Sequence, residues 1–137
     1  MDASLSPYHD QHQALLRLGR KQERFLAPAT VRTHPESCLE TFRDLISSLK
    51  AHLAMEDTVL LPALRQASDP RARAQAEAES ARAVDLKRHL HEAGHHWTTP
   101  ETLRRAPEAF IEACRSLLGA MRQHVEREEQ GLFPLVD

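Results

Sequence analysis

Two stretches of one form decide how this chain folds: His52-Leu53-Ala54-Met55-Glu56-Asp57, continuing through Leu61-Pro62, and His124-Val125-Glu126-Arg127-Glu128-Glu129, continuing through Phe133-Pro134. In each, a His and a Glu stand four residues apart, a spacing that stacks them on one face of a helix. Their neighbours say which face. Around the first pair, Phe42, Leu45, Leu49, Leu53 and Leu60 recur at helical spacing and form an apolar stripe with His52 and Glu56 in its middle. Around the second, Phe110, Leu117, Met121 and Leu132 do the same, and His124 and Glu128 fall in the middle again. Both pairs point into a core.

Outward from these stretches, breakers divide the chain into four helices. Ser6-Pro7 supplies an N-cap and a first-turn proline, opening a first helix that should reach about Ala27-Pro28. Thr33-His34-Pro35-Glu36 opens the second, expected to run to about Gln66, and Ser68-Asp69-Pro70 opens an Ala-rich third that ends near Trp97. Thr98-Thr99-Pro100 breaks the chain, and a fourth helix is under way by Pro107. Pro62 and Pro134 lie inside helical patterns, so each should kink or end its helix. Only 4 glycines interrupt a composition that favours helix, and no strand-like alternation occurs. Short connections between successive helices predict an all-α, up-down-up-down antiparallel four-helix bundle, one domain spanning residues 1–137.

Composition excludes several classes. With 41% apolar and 28% charged residues and a net charge of −2, the chain is neither disordered nor drawn electrostatically to nucleic acid or anionic membrane. No apolar run approaches the ~20 residues that span a bilayer, and Met1-Asp2-Ala3-Ser4 is not the start of a signal peptide. Two cysteines, Cys38 and Cys114, make no disulfide framework, so a cytoplasmic location is expected. They fall on inward faces and read as packing thiols. Histidine is the outlier, with 9 residues gathered near apolar stripes.

The first helix adds His12, which shares a face with Leu5, Leu15, Leu16, Gly19 and Leu26. Three histidines and two glutamates thus occupy core positions. Buried carboxylates facing each other repel strongly and are costly unless paired or metal-bound. A cation between them removes that cost, and imidazole with carboxylate suits iron, zinc or manganese.

With these motifs in place, the chain resembles the hemerythrin-like, or HHE cation-binding, family over nearly its whole length. The resemblance rests on His12-Gln13-Ala14-Leu15-Leu16 and on the repeated form HxxxE(D/E)…(L/F)P of the two opening stretches. It implies that His12, His52 and His124 are terminal ligands and that Glu56 and Glu128 bridge two irons. It also implies binding of dioxygen, sensing of oxygen, nitric oxide or iron, or a part in iron–sulfur repair.

Family members with a full site also place His on the third helix. Here Leu86, Leu90, Ala93 and Trp97 set the inward face, which puts His91 and His95 opposite it and His89 and His96 on a flank. His12 and His52 each lie 16 residues from their shared turn, and the same depth on the third helix falls near residue 81. His89 then stands 8 residues too high, about 12 Å. Glu79, Ala83 and Arg82 are the inward residues at that level; Glu79 is a candidate ligand, and Arg82 an alternative neutraliser of a carboxylate. A late start to the helix would bring His89 into range instead. His9 reads as solvent-facing or as supporting His12, His34 as loop or cap, and Tyr8 as core near His12. Glu129 points away from the apolar face.

These features predict a metal-binding protein with a non-haem (di-)iron site whose partners are metal ions and a diatomic gas. A redox enzyme reducing peroxide or nitric oxide at the same irons, and a helical interaction module with a decayed site, are the other classes considered. No Ser/His/Asp set, phosphate loop or zinc-type cysteine cluster is present.

Overall fold

A computed structural model describes residues 5–136. The N-terminal tetrapeptide Met1–Ser4, read above as no signal peptide, lies outside the described residues. All elements among the described residues are helical. Proline opens nearly every one: α1 (Ser6–Glu23), α2 (Pro28–Thr33), α3 (Pro35–Met55), α5 (Pro70–His96), α6 (Pro100–Arg105) and α7 (Pro107–Arg127) all carry it in the first turn. There its missing N–H removes nothing, because first-turn donors have no intrahelical partner. Asp69 caps α5 by accepting from Arg71 N at 2.9 Å, and Thr99 caps α6 by accepting from Thr102 N at 3.3 Å.

Two boundaries differ from the sequence expectation. α1 stops at Glu23, short of Ala27, and the connections that follow α1 and α5 contain the short helices α2 and α6. These two pack on each other and seat Val31 and Leu103, both fully buried, over the end of the core. They are turns made of helix, closed with apolar plugs, which a breaker-based division reads as loop.

The internal prolines act in an unforeseen way. After α3 comes a π turn, Glu56–Leu60, and then α4 (Leu61–Arg65); after α7 comes a second π turn, Glu128–Leu132, and a 3-10 turn, Phe133–Leu135. Proline at 62 or 134 removes a donor and its ring crowds the carbonyl four residues back. The chain absorbs this by widening the preceding turn: Leu61 N–H donates to Glu56 O and Phe133 N–H to Glu128 O, each spanning five residues. Both widened turns begin at a motif glutamate.

Pair contacts give the relative directions. Gln22 reaches Cys38 while Gln11 reaches His52, so α1 and α3 run oppositely. Gly19 lies against Leu118 and Met121, and His12 against Glu128, so α1 also opposes α7. Trp97 packs on Phe110 and Glu79 on Arg127, so α5 opposes α7. Arg43 donates to Thr98 O while Lys87 pairs with Asp57, which sets α5 against α3 as well.

The apolar interior is in two bodies. The larger holds Leu15, Leu45, Leu49, Phe42, Leu86, Phe110, Leu117 and Met121. The smaller holds Leu5, Tyr8, Leu60, Leu64, Ala72, Ala76, Leu132 and Phe133. Between them every long helix contributes a buried polar group: His12, His52 with Glu56, Glu79, and His124 with Glu128.

Candidate metal centre

All five motif side chains are excluded from water: His12 and Glu128 are 0% exposed, His52 and His124 1%, Glu56 2%. Donor atoms of His52, Glu56, His124 and Glu128 all lie within 4.8 Å of one another. His52 Nε2 is 3.2 Å from Glu56 Oε1 and 3.3 Å from Glu128 Oε1. His124 Nε2 is 2.8 Å and 3.1 Å from the same two oxygens. His12 joins through Nε2, 2.8 Å from Glu128 Oε1.

The outer nitrogens explain how the rings are held. His12 Nδ1 lies 2.6 Å from Glu129 Oε2, His52 Nδ1 2.6 Å from Gln11 Oε1, and His124 Nδ1 3.0 Å from Glu79 Oε1. Glu129 Oε2 and Gln11 Oε1 are acceptors, so Nδ1 of His12 and of His52 carries the proton and donates it, while His124 Nδ1 meets Glu79 as an ion-pair contact. A neutral imidazole then turns an Nε2 lone pair toward carboxylate oxygens. Such lone pairs facing two carboxylates repel unless a cation or a proton lies between them. Acceptors on the outer ring nitrogen orient ligating histidines in this way. The donor set therefore fits a cation, and the second oxygens of the two glutamates, Glu56 Oε2 and Glu128 Oε2, are buried with no partner.

Protonation follows the same geometry. Burial alone would raise the Glu56 carboxyl, but hydrogen bonds from His124 and His52 outweigh it and hold the group at about 2. Burial would lower His124, but Glu56 and Glu79 on its two sides raise it above the usual histidine range. His124 is therefore where a proton resides when no cation does. Burial is the main influence on His12 and depresses it to about 4, keeping the ring neutral.

The candidates from the third long helix separate. Glu79, 3% exposed, reaches the outer nitrogen of His124, away from the facing Nε2 atoms, and Arg127 donates to it at 3.2 and 3.4 Å. Hydrogen bonds from His124 and Arg127 outweigh burial and keep it ionised. It buttresses a ligand candidate instead of joining the converging atoms. His89 does not come into range: α5 begins at Pro70, and His89 lies with His91, His95 and His96 along an open surface cleft beside Trp97. Arg82 is exposed, so the guanidinium in this layer is that of Arg127. The inward positions are Ala76, Glu79, Ala83 and Leu86, and Arg82 sits one residue off that spacing.

Glu129 also departs from expectation. A uniform helical wheel turns it away, yet it accepts from both His12 and His9. It lies within the second π turn, where each residue advances by a smaller angle than in an α-helix. Gln11, placed by the side of His12, was signalled by no motif. Tyr8 is buried with its hydroxyl unpartnered; burial, and then the Glu56 charge, raise it further above its usual range. Cys38 and Cys114 are buried in the larger apolar body, away from this layer, and burial pushes both thiols up, Cys38 to about 11. Neither is a reactive thiolate.

The family model described as hemerythrin HHE cation binding domain matches residues 5–136, nearly the whole chain. No curated protein and no solved structure matches it.

Proposed function

Because the chain belongs to the hemerythrin HHE cation-binding family, we propose that His12, His52, Glu56, His124 and Glu128 hold non-haem iron and that the protein binds or senses O2 or NO, or handles iron. The carrying observation is that three imidazole Nε2 atoms converge on the carboxylates of Glu56 and Glu128 in a layer shut off from water. That metal ions bind is the family's property; iron as the ion rests on the mixed nitrogen and oxygen donor set, which zinc and manganese also suit. The opposed directions of neighbouring long helices support an up-down-up-down four-helix bundle forming one domain over residues 1–137. No helix among the described residues is long and apolar enough to cross a membrane. A cytoplasmic location, with no nucleic-acid or membrane partner, is the reading that accords with the charge balance.

His12, His52, Glu56, His124 and Glu128 would hold iron, which when bound would supply reversible binding of a diatomic molecule. The protein's part is to prepare that site. Glu129, Gln11 and Glu79 fix the three imidazoles with Nε2 inward. The two apolar bodies on either side exclude water and so strengthen every charge interaction between them. Tyr8 offers an uncommitted hydroxyl on the Glu56 side.

Anaerobic iron loading followed by exposure to NO or O2 tests this reading. Bound iron and a stoichiometric, reversible spectral change support it. Steady consumption of peroxide or NO under a reductant assigns the protein to redox catalysis, and failure to retain any metal removes the reading altogether. The exposure of Arg82 takes away the observation that favoured a decayed site.

A further inference from the structure

The C-terminal end of α5 carries a second set of imidazoles that the buried layer does not use. The sequence there is His91-Glu92-Ala93-Gly94-His95, and the next residue, His96, is the last of the helix. Two histidines four residues apart, with a glutamate after the first, have the spacing at which a helix binds zinc through both imidazoles. Leu90 and Ala93 take the inward positions of these turns, and His91, Glu92 and His95 are exposed. We infer that His91 and His95 form a surface site for one divalent transition ion of the zinc, nickel and copper class, separate from the buried layer.

The two rings already stand side by side, with centroids 4.2 Å apart. His95 Nδ1 donates to the carbonyl of His91 at 3.0 Å, which orients that ring and leaves its Nε2 free for an ion. Among the described residues, neither the His91 ring nor the Glu92 carboxylate is engaged in a hydrogen bond or ion pair. Both histidines border an open cleft of about 620 Å³ that His89, His96 and Trp97 also line. Glu92 brings a carboxylate to this cleft, and no lysine or arginine among the described residues lines it, so its charge favours a cation. The helix adds its own field. An ion held by His91 and His95 lies beside the last turn of α5, where unpaired carbonyls carry the negative end of the macrodipole.

Nitrogen donors decide the class of ion. Imidazole suits zinc, nickel and copper, whereas magnesium and calcium require oxygen ligands. Among the described residues, three or more donors converge only in the buried layer, so an ion on this pair keeps its other positions for water or an incoming donor. His91 stands twelve residues beyond Glu79, roughly 18 Å along the helix axis, too far to share an ion with that layer. Because its two ligands come from successive turns, the ion also ties down the end of the helix.

Trp97, the only tryptophan of the chain, lines the same cleft and reports on it. Titration of the full chain with Ni2+, a quencher of indole emission at short range, should give a saturable loss of fluorescence at one ion per chain, reversed by excess Zn2+. His91→Ala and His95→Ala should each weaken this binding roughly tenfold or more, since each removes the advantage of a second tethered ligand. The His91→Ala/His95→Ala protein should lose little beyond either single variant. Both side chains are exposed, so circular dichroism should show the fold intact in all three. Zn2+ should also slow amide exchange in the last turn of α5 in the parent and not in the double variant. An unchanged quenching curve in the double variant overturns the site. So does quenching that needs millimolar Ni2+, or losses that simply add in the double variant, the mark of histidines binding separately.

Discussion

Glu79 gives the most exacting test of how the metal layer is built, because it touches a ligand candidate without being one. Replacing it by Gln keeps an oxygen beside His124 Nδ1 but removes the charge that faces the ring; Ala removes both. Outer carboxylates of this kind are worth about 10–100-fold in metal affinity, or about 1.4–2.7 kcal/mol. Glu79→Gln should sit near the low end of that range and Glu79→Ala near the high end. Without metal, the carboxylate also holds His124 in its charged form and accepts from Arg127, a side chain 28% exposed that regains water when released. Hydrogen bonds to charged groups contribute about 1.5–3 kcal/mol, and partial solvation of Arg127 argues for the lower figure. Affinity is read by competition against a chromophoric chelator, apo stability by thermal unfolding, and the His124 proton by NMR titration, where its affinity should fall in both variants. Should Glu79→Ala bind metal within twofold of the parent, with His124 titrating unchanged, the buttress account is wrong.

Other outcomes follow from the same contacts. His52→Ala should abolish or greatly weaken metal binding, whereas His91→Ala should leave the core site unchanged; equal losses in a chelator competition would mean that α5 is wrongly phased. Stability of the apo protein should peak near pH 6.5. Below that, the depressed Glu56 and His12 make the unfolded chain bind more protons, so stability falls as pH drops from about 6.5 toward 2; above it, the raised His124 loses its folded-state proton and stability falls again. Chemical denaturation across pH checks this, and bound metal, which needs His124 unprotonated, should reverse the alkaline decline. A Cβ at Gly19 would stand 3.2 Å from both Leu118 and Met121, so Gly19→Val should cost roughly 1–3 kcal/mol by overpacking α1 against α7; an unchanged midpoint in urea unfolding would contradict that close approach.

Much of this arrangement is legible in the residues because two periodicities agree. Leu and Phe at helical spacing define the inward faces, and the five ligand candidates interrupt those faces at matching depth; counting from the turns also places Glu79 at the right level. What escapes notice has definite physical causes. Arg82 and Arg127 look alike in sequence, and only the tertiary placement of α7 beside α5 says which guanidinium meets Glu79. Glu129 and Gln11 act because a π turn and an interhelical approach put them there, and a wheel of uniform pitch represents neither. Pro62 and Pro134 mark the right places, but a proline dictates only that an α-helical bond is lost, not that the chain widens its preceding turn to compensate.

The polar layer that divides the apolar interior also divides it as a cooperative unit. The smaller body draws on both ends of the described chain, Leu5 and Tyr8 from one and Leu132 and Phe133 from the other, together with the segment around α4 and the start of α5. The two bodies are separate apolar clusters, so little apolar contact crosses the layer of imidazoles and carboxylates to restrain the smaller one. Without a cation, the smaller body has its own opening equilibrium, and its amides should exchange with solvent ahead of those in α3 and α7 near Phe42 and Phe110. With a cation drawing α1, α3 and α7 to one point, the two bodies open together. Metal occupancy thus becomes a degree of coupling between the two apolar bodies of the fold.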